Sequence, residues 1–158
     1  MSQVREPTVR AGRPIPDEAV LDEPRARGRA RGSTVLRMLG ALAVLVVGAV
    51  HLEQYFAVHF GVVPIIGPLF ALNFAGATVI GLGLLVPLAR MRLLHVLLAL
   101  GGIGLAATAF VFLFVSEHQP LFGFQDHGYR PAILVALVAE AAAVVLLASY
   151  LVADLRRG

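Results

Sequence analysis

Four long apolar stretches, separated by short polar ones, dominate the chain. They run over residues 35–58, 67–88, 93–115 and 131–153, each 22 to 24 residues long and nearly free of charge. At ~1.5 Å per residue such a run crosses ~30 Å of hydrocarbon as one helix, so the pattern predicts four transmembrane spans. Pro68 and Pro131 stand where the second and fourth helices should start, in a first turn that has no internal N–H bond to lose. The short turn after His59 makes the first two helices antiparallel neighbours. The expected fold is all-α, an antiparallel four-helix transmembrane bundle over residues 34–155.

The residues before the first span follow a different pattern. Residues 1–33 are polar and rich in Pro, Gly and Arg, with too few large apolar side chains to offset the entropy of ordering them, and a disordered tail is expected. Within it Asp17, Glu18, Asp22 and Glu23 precede Arg25, Arg27, Arg29, Arg31 and Arg37, with no acid among these arginines. Basic residues flanking a span set its orientation and attract anionic headgroups by about 1 kcal/mol each near the surface. With the amino terminus inside, 12 of the 13 arginines are cytoplasmic and only Arg130 lies outside. Both termini are thus expected in the cytoplasm, and the address is the bacterial plasma membrane. The first span reads as a retained anchor: its basic flank is long, no adjacent arginine pair precedes it, and Val46 to Glu53 offers no clean small-x-small cleavage site.

Composition narrows the chemistry. Of 158 residues 58% are apolar and 15% charged, and the mean hydropathy is +0.83, which excludes soluble enzyme classes. Every basic residue is arginine, and the formal net charge is only +3, so the high isoelectric point implies no nucleic-acid partner. The chain has no cysteine, which removes thiolate metal sites, iron–sulfur clusters, CxxC relays and covalent c-type haem. A P-loop, HExxH, GxSxG and a glycine-rich dinucleotide fingerprint are all missing, and Gly101-Gly102-Ile103-Gly104 lies inside an apolar helix where it serves packing. No catalytic set can be named.

Polar side chains at membrane depth are costly and are the first place to look for chemistry. Glu140 lies nine residues past Pro131, within about 3 Å of the middle of the fourth span. His51, Asn73 and Thr108 fall roughly 6–7 Å to the outer side of the midplane, so each helix contributes one polar residue to a common layer. A charged carboxylate there needs a partner, and a cationic His51 is the one the sequence offers, with Asn73 and Thr108 as further hydrogen-bonding groups. Two readings stand. The layer is either a clamp aligning four greasy helices, at ~0.6 kcal/mol per bond, or a site for a proton, a cation or a quinone-like ligand. Small residues recur as Ala77-x3-Gly81, Gly102-x3-Ala106 and Ala139-x3-Ala143, suited to packing within one bundle or to a homodimer face.

On the first helix His51, Tyr55 and His59 are four apart and should form one stripe toward the outer surface, with Glu53 on another face. His51 and His59 are separated by ~12 Å of rise, too far to chelate one ion. The outer loop adds Glu117, His118, Asp126 and His127, which with His59 are outer-face candidates for a metal, although no compact ligand spacing marks a site. Glu117-His118-Gln119, Tyr55 and Tyr129 also suit the water interface. Haem b needs two histidines at one depth. His95 lies near the cytoplasmic end, roughly 20 Å from His51, so only His51 with its copy across a homodimer could hold one. No cofactor is implied.

The segments His51 to Tyr55, Ile66-Gly67-Pro68-Leu69-Phe70 with Asn73, Leu121-Phe122-Gly123-Phe124, and Ala139-Glu140-Ala141 together resemble a set of small four-span membrane proteins common in actinobacteria. The likeness covers residues 36–153; a looser one, to DoxX-like four-helix proteins, rests on span count and topology. It implies a fold and a plasma-membrane address, and no reaction. The first functional expectation is a non-enzymatic accessory or scaffold module whose outer face, including Leu121 to Phe124, meets lipid or a partner protein. The second is a small transport- or redox-associated protein in which Glu140 and His51 handle the ligand.

Overall fold

The computed structural model describes residues 16–57, 59–87, 91–120, 122–123 and 130–156. They form four helices: α1 Pro16–Ala57, α2 Ile66–Leu85, α3 Arg92–His118 and α4 Pro131–Leu155. Four stretches, Arg31–Ala57, Ile66–Leu85, Arg92–His118 and Pro131–Leu155, are long and apolar enough to cross a membrane. The protein is a multi-pass membrane protein built as an antiparallel four-helix bundle. Span ends fall within a few residues of those expected, and Pro131 occupies the first turn of α4 as its fixed φ favours.

α1 starts well before the first apolar run. Its helical backbone begins at Pro16, and the membrane-crossing part begins at Arg31, while 1–15 lie outside the described residues. Extending an existing helix needs no new nucleus, which offsets in part the poor helix propensity of Pro24, Gly28 and Gly32 in this stretch.

α1 packs extensively on α2 and α4, α4 packs on α3, and the α2–α3 interface is the least extensive of the four around the ring. Large side chains such as Val79, Leu93 and Val138 point outward, about 70% exposed, as suits residues solvated by lipid. The interior combines small residues with a few large ones such as Leu84 and Leu147. A β-carbon on Gly48 would lie 2.8 Å from Ala77 Cβ, and one on Gly81 would lie 2.6 Å from Leu45 Cγ, so glycine permits the α1–α2 approach. Ala77, Gly81, Gly102, Ala106, Ala139 and Ala143 are all buried within the single chain, where they serve its own packing.

One layer fixes the relative heights of the helices. A β-carbon on Gly102 would lie 2.8 Å from Leu147 Cδ1 and 3.3 Å from both Ile80 Cγ2 and Val44 Cγ2, so α1, α2, α3 and α4 meet there. Towards the end carrying the termini, Arg37 is buried and its Nη1 donates to Leu84 O and Val86 O at the close of α2. His95 Nε2 lies 3.0 Å from that same Nη1 and from Val86 O. The guanidinium thus occupies the carbonyl end of α2, where a cation is favoured. Arg92 joins α3 to α4 through Asp154, Nε to Oδ2 at 2.8 Å and Nη2 to the backbone oxygen at 2.9 Å.

At the opposite end the α1–α2 connection is tight and strained. His59 (φ 61°) and Ile65 (φ 69°) adopt positive φ, which is unusual for any side chain and costly for a β-branched one. Between them Phe60–Val62 forms a 3-10 turn, and Gly67 passes so close that a β-carbon would lie 2.7 Å from Gly61 O.

Candidate functional site: a cavity in the loop-side half of the bundle

The heights set by the Gly102 layer can be carried along each helix. Seven residues toward the loop end, about 10 Å at ~1.5 Å per residue and nearly the same helical face, lead from Val44 to His51, from Ile80 to Asn73, from Gly102 to Ala109 and from Leu147 to Glu140. Thr108 directly precedes Ala109. The four polar residues therefore share a level two turns from a close-packed layer.

At that level the bundle opens into a cavity of about 430 Å³ lined by all four helices. His51, Asn73, Thr108 and Glu140 all border it, as does Gln54. Its walls are otherwise mostly apolar, with Phe60, Phe70 and Phe112 among them. A mostly apolar hollow of this size with a few convergent polar groups has the character of a small-molecule pocket.

Glu140 is 1% exposed, and its Oε2 is buried without a hydrogen-bond partner. Asn73 Oδ1 and Gln54 Oε1 are likewise buried and unpartnered. The Gln54 amide has a fixed orientation, because its Nε2 donates to Glu53 Oε2 and a carboxylate accepts only from the NH2 side. His51 is half-buried, and its Nδ1 donates to Val47 O at 2.9 Å, one turn back, which leaves Nε2 as the ring nitrogen without a backbone partner. Its ring lies 4.9 Å from that of Phe70. Thr108 is exposed, standing where the cavity meets the outer surface of α3.

The outer-face candidates are arranged otherwise. α1 ends at Ala57 and His59 has left-handed backbone, so the expected helical stripe from His51 through Tyr55 stops short of His59. A β-carbon on Gly61 would lie 2.8 Å from the Tyr55 ring, which closes over the turn. His118 is exposed and donates from Nδ1 to Phe114 O at 2.7 Å, and Glu117 is half-buried beside it. Asp126 and His127 lie outside the described residues. No group of three His, Cys, Asp or Glu able to hold a metal occurs among the described residues. His95 and His51 sit in opposite halves of the bundle, His95 being held by Arg37 and Val86 O.

Two features escaped the sequence reading. Gln54 lies three residues after His51 and hence on nearly the same helical face, a spacing that was available to find it. Arg37 reads as one more topogenic charge, yet it is the third residue of the apolar run 35–58 and is buried.

No family model, curated protein or solved structure matches this chain. Its function is read from the cavity.

Proposed function

We propose that this protein is an integral membrane protein that binds a small amphiphilic molecule in the cavity, with the molecule's polar end against Glu140, Asn73, Gln54 and His51 and its apolar body among the phenylalanines. The observation that carries this reading is the Glu140 carboxyl, 1% exposed and with Oε2 unpartnered, at the wall of a 430 Å³ hollow. A clamp would bond its members to one another. Here none of His51, Asn73, Thr108 and Glu140 is hydrogen-bonded to another among the described residues, and His51 is bonded to its own helix. A buried unpaired polar group costs about 1–3 kcal/mol, more than the ~0.6 kcal/mol a clamp bond returns. Such an arrangement lowers stability unless an occupant completes it.

On this reading the amino terminus and carboxyl terminus face the cytoplasm, as the arginine distribution favours, and the cavity opens in the outer leaflet of the plasma membrane. The loop-side face is then free to serve an accessory role beside a partner membrane protein. The full chain in phosphatidylcholine nanodiscs, titrated with 4-nonylphenol, tests the binding. Saturable binding is expected, with a rise in melting temperature that disappears in Ala109→Phe, which fills the cavity. Absence of saturable binding, or equal binding by the filled variant, refutes the reading.

A further inference from the structure

The seven-residue steps that reach the polar level lead one layer further. Toward the loops Glu140 is followed by Ile133, Asn73 by Ile66 and Ala109 by Ser116, about 10 Å on at ~1.5 Å per residue. All three border the cavity and all are buried, at 4%, 5% and 7% exposure. The Ser116 hydroxyl is turned back on its own helix, donating to Leu113 O at 2.9 Å, so its polar atom is already satisfied.

The fourth place in this layer is filled differently. α1 has ended at Ala57, and the side chain that borders the cavity from this corner is Phe60, 8% exposed and carried on the 3-10 turn. Its ring meets that of Phe70 edge-on, with centroids 5.3 Å apart, and the Arg130 guanidinium lies 5.6 Å over it. Three corners of the layer are thus fixed by the packing of whole helices. The fourth is held by the contacts of one ring on a turn.

The backbone behind that ring is strained. Ile66 N donates to Pro64 O at 2.8 Å, which closes a three-residue turn about Ile65, and Ile65 has φ 69° and ψ −51°. This is the γ-turn of the rare hand, unfavourable for an L-residue and most so for a β-branched one. It persists while the folded-in turn keeps Phe60 and Ile66 buried. Strain that only the surroundings maintain is characteristic of switch segments.

We infer that the α1–α2 turn is a gate between the cavity and the water on the loop side, with Phe60 as its stopper and Ile65 as the strained element that sets how often it opens. The structure holds it closed. Opening withdraws Phe60 from between Phe70 and Arg130 and lets Ile65 relax to ordinary φ, leaving a passage bordered by Ile66, Ser116 and Ile133. The gate concerns passage alone and stands whatever the cavity binds.

Thiol labelling tests it, since the chain has no cysteine of its own. Ala136→Cys puts a single thiol on the cavity wall. The quaternary ammonium reagent 2-(trimethylammonium)ethyl methanethiosulfonate is excluded from hydrocarbon by its permanent charge, so in nanodiscs it reaches that thiol only from water. Adding Phe60→Ala is expected to speed labelling at least tenfold. Adding Ile65→Gly, which removes the strain and keeps the stopper, is expected to slow it at least threefold. Ala99→Cys, fully buried on the far side of the Gly102 layer, should stay unlabelled in both backgrounds. A rate unchanged by Phe60→Ala, or a rise shared by Ala99→Cys, overturns the stopper. A rate unchanged or raised by Ile65→Gly overturns the strained gate.

Discussion

Leu147 gives the sharpest test of how this bundle is held together. It is fully buried on α4, and β-carbons added to Gly40 and Gly102 would lie 2.5 Å and 2.8 Å from its two methyl groups. Leu147→Ala leaves a void of about 70 Å³, which at ~24 cal/mol per Å³ costs about 1.5–2 kcal/mol. In a soluble core a further ~2 kcal/mol of water-to-oil transfer would be lost. Here the unfolded helices stay in lipid, where leucine is already solvated by hydrocarbon, so that contribution drops out. Unfolding in mixed micelles by a denaturing detergent measures the loss, with Val145→Ala, at a 64% exposed position on the same helix, as a control expected within about 0.5 kcal/mol of wild type. Gly40→Ala extends the test. Alone it drives a methyl against Leu147 and should cost about 1–3 kcal/mol, but combined with Leu147→Ala only the Leu147 backbone nitrogen remains near, at 3.5 Å. The double variant should recover about 1–2 kcal/mol relative to additivity. A loss above 4 kcal/mol for Leu147→Ala would refute the lipid reference state, and strict additivity with Gly40→Ala would refute the close packing.

Three other perturbations separate the remaining interactions. Glu140→Leu without added ligand is expected to leave stability unchanged or to raise it by about 1 kcal/mol, because it removes an unpartnered buried oxygen; a loss of 2 kcal/mol or more in the same unfolding assay would mean that the carboxyl holds helices together. Arg37→Met strips the donor from Leu84 O and Val86 O and should cost about 2–3 kcal/mol, with Arg37→Lys recovering part of it; no measurable loss would show that the carbonyl end of α2 needs no cap. Asp154→Asn weakens a pair whose arginine is 54% exposed, so a change under about 1 kcal/mol is expected, shrinking further in high salt.

Span number and rough ends were legible because most residues facing lipid are apolar, which leaves runs too long for anything but crossing helices. His51, Asn73, Thr108 and Glu140 were expected at one level for a related reason, since a regular rise converts sequence position into depth. What lies between those residues was not legible. Whether polar groups meet each other or face a hollow depends on how closely the backbones approach, and that is set elsewhere, by Gly48 against Ala77 and Gly102 against Leu147. The stripe to His59 failed because the chain leaves helical geometry after Ala57, a break marked in sequence by no proline or glycine until Gly61. The buried role of Arg37 was hidden because one residue type serves both as a topology signal and as a cap for distant carbonyls.

The uneven packing of the bundle also constrains its motion. Gripped by interlocking glycine, alanine and leucine around Gly102 and tied by Arg37 beyond it, the helices are close-packed in one half and spaced around a cavity in the other. Shearing one helix past another would break that grip, whereas a tilt of α2 away from α3 about it would leave the grip in place. A few degrees of such splay would widen the far end while displacing the gripped residues little, so where the small residues lie decides which movements the bundle resists.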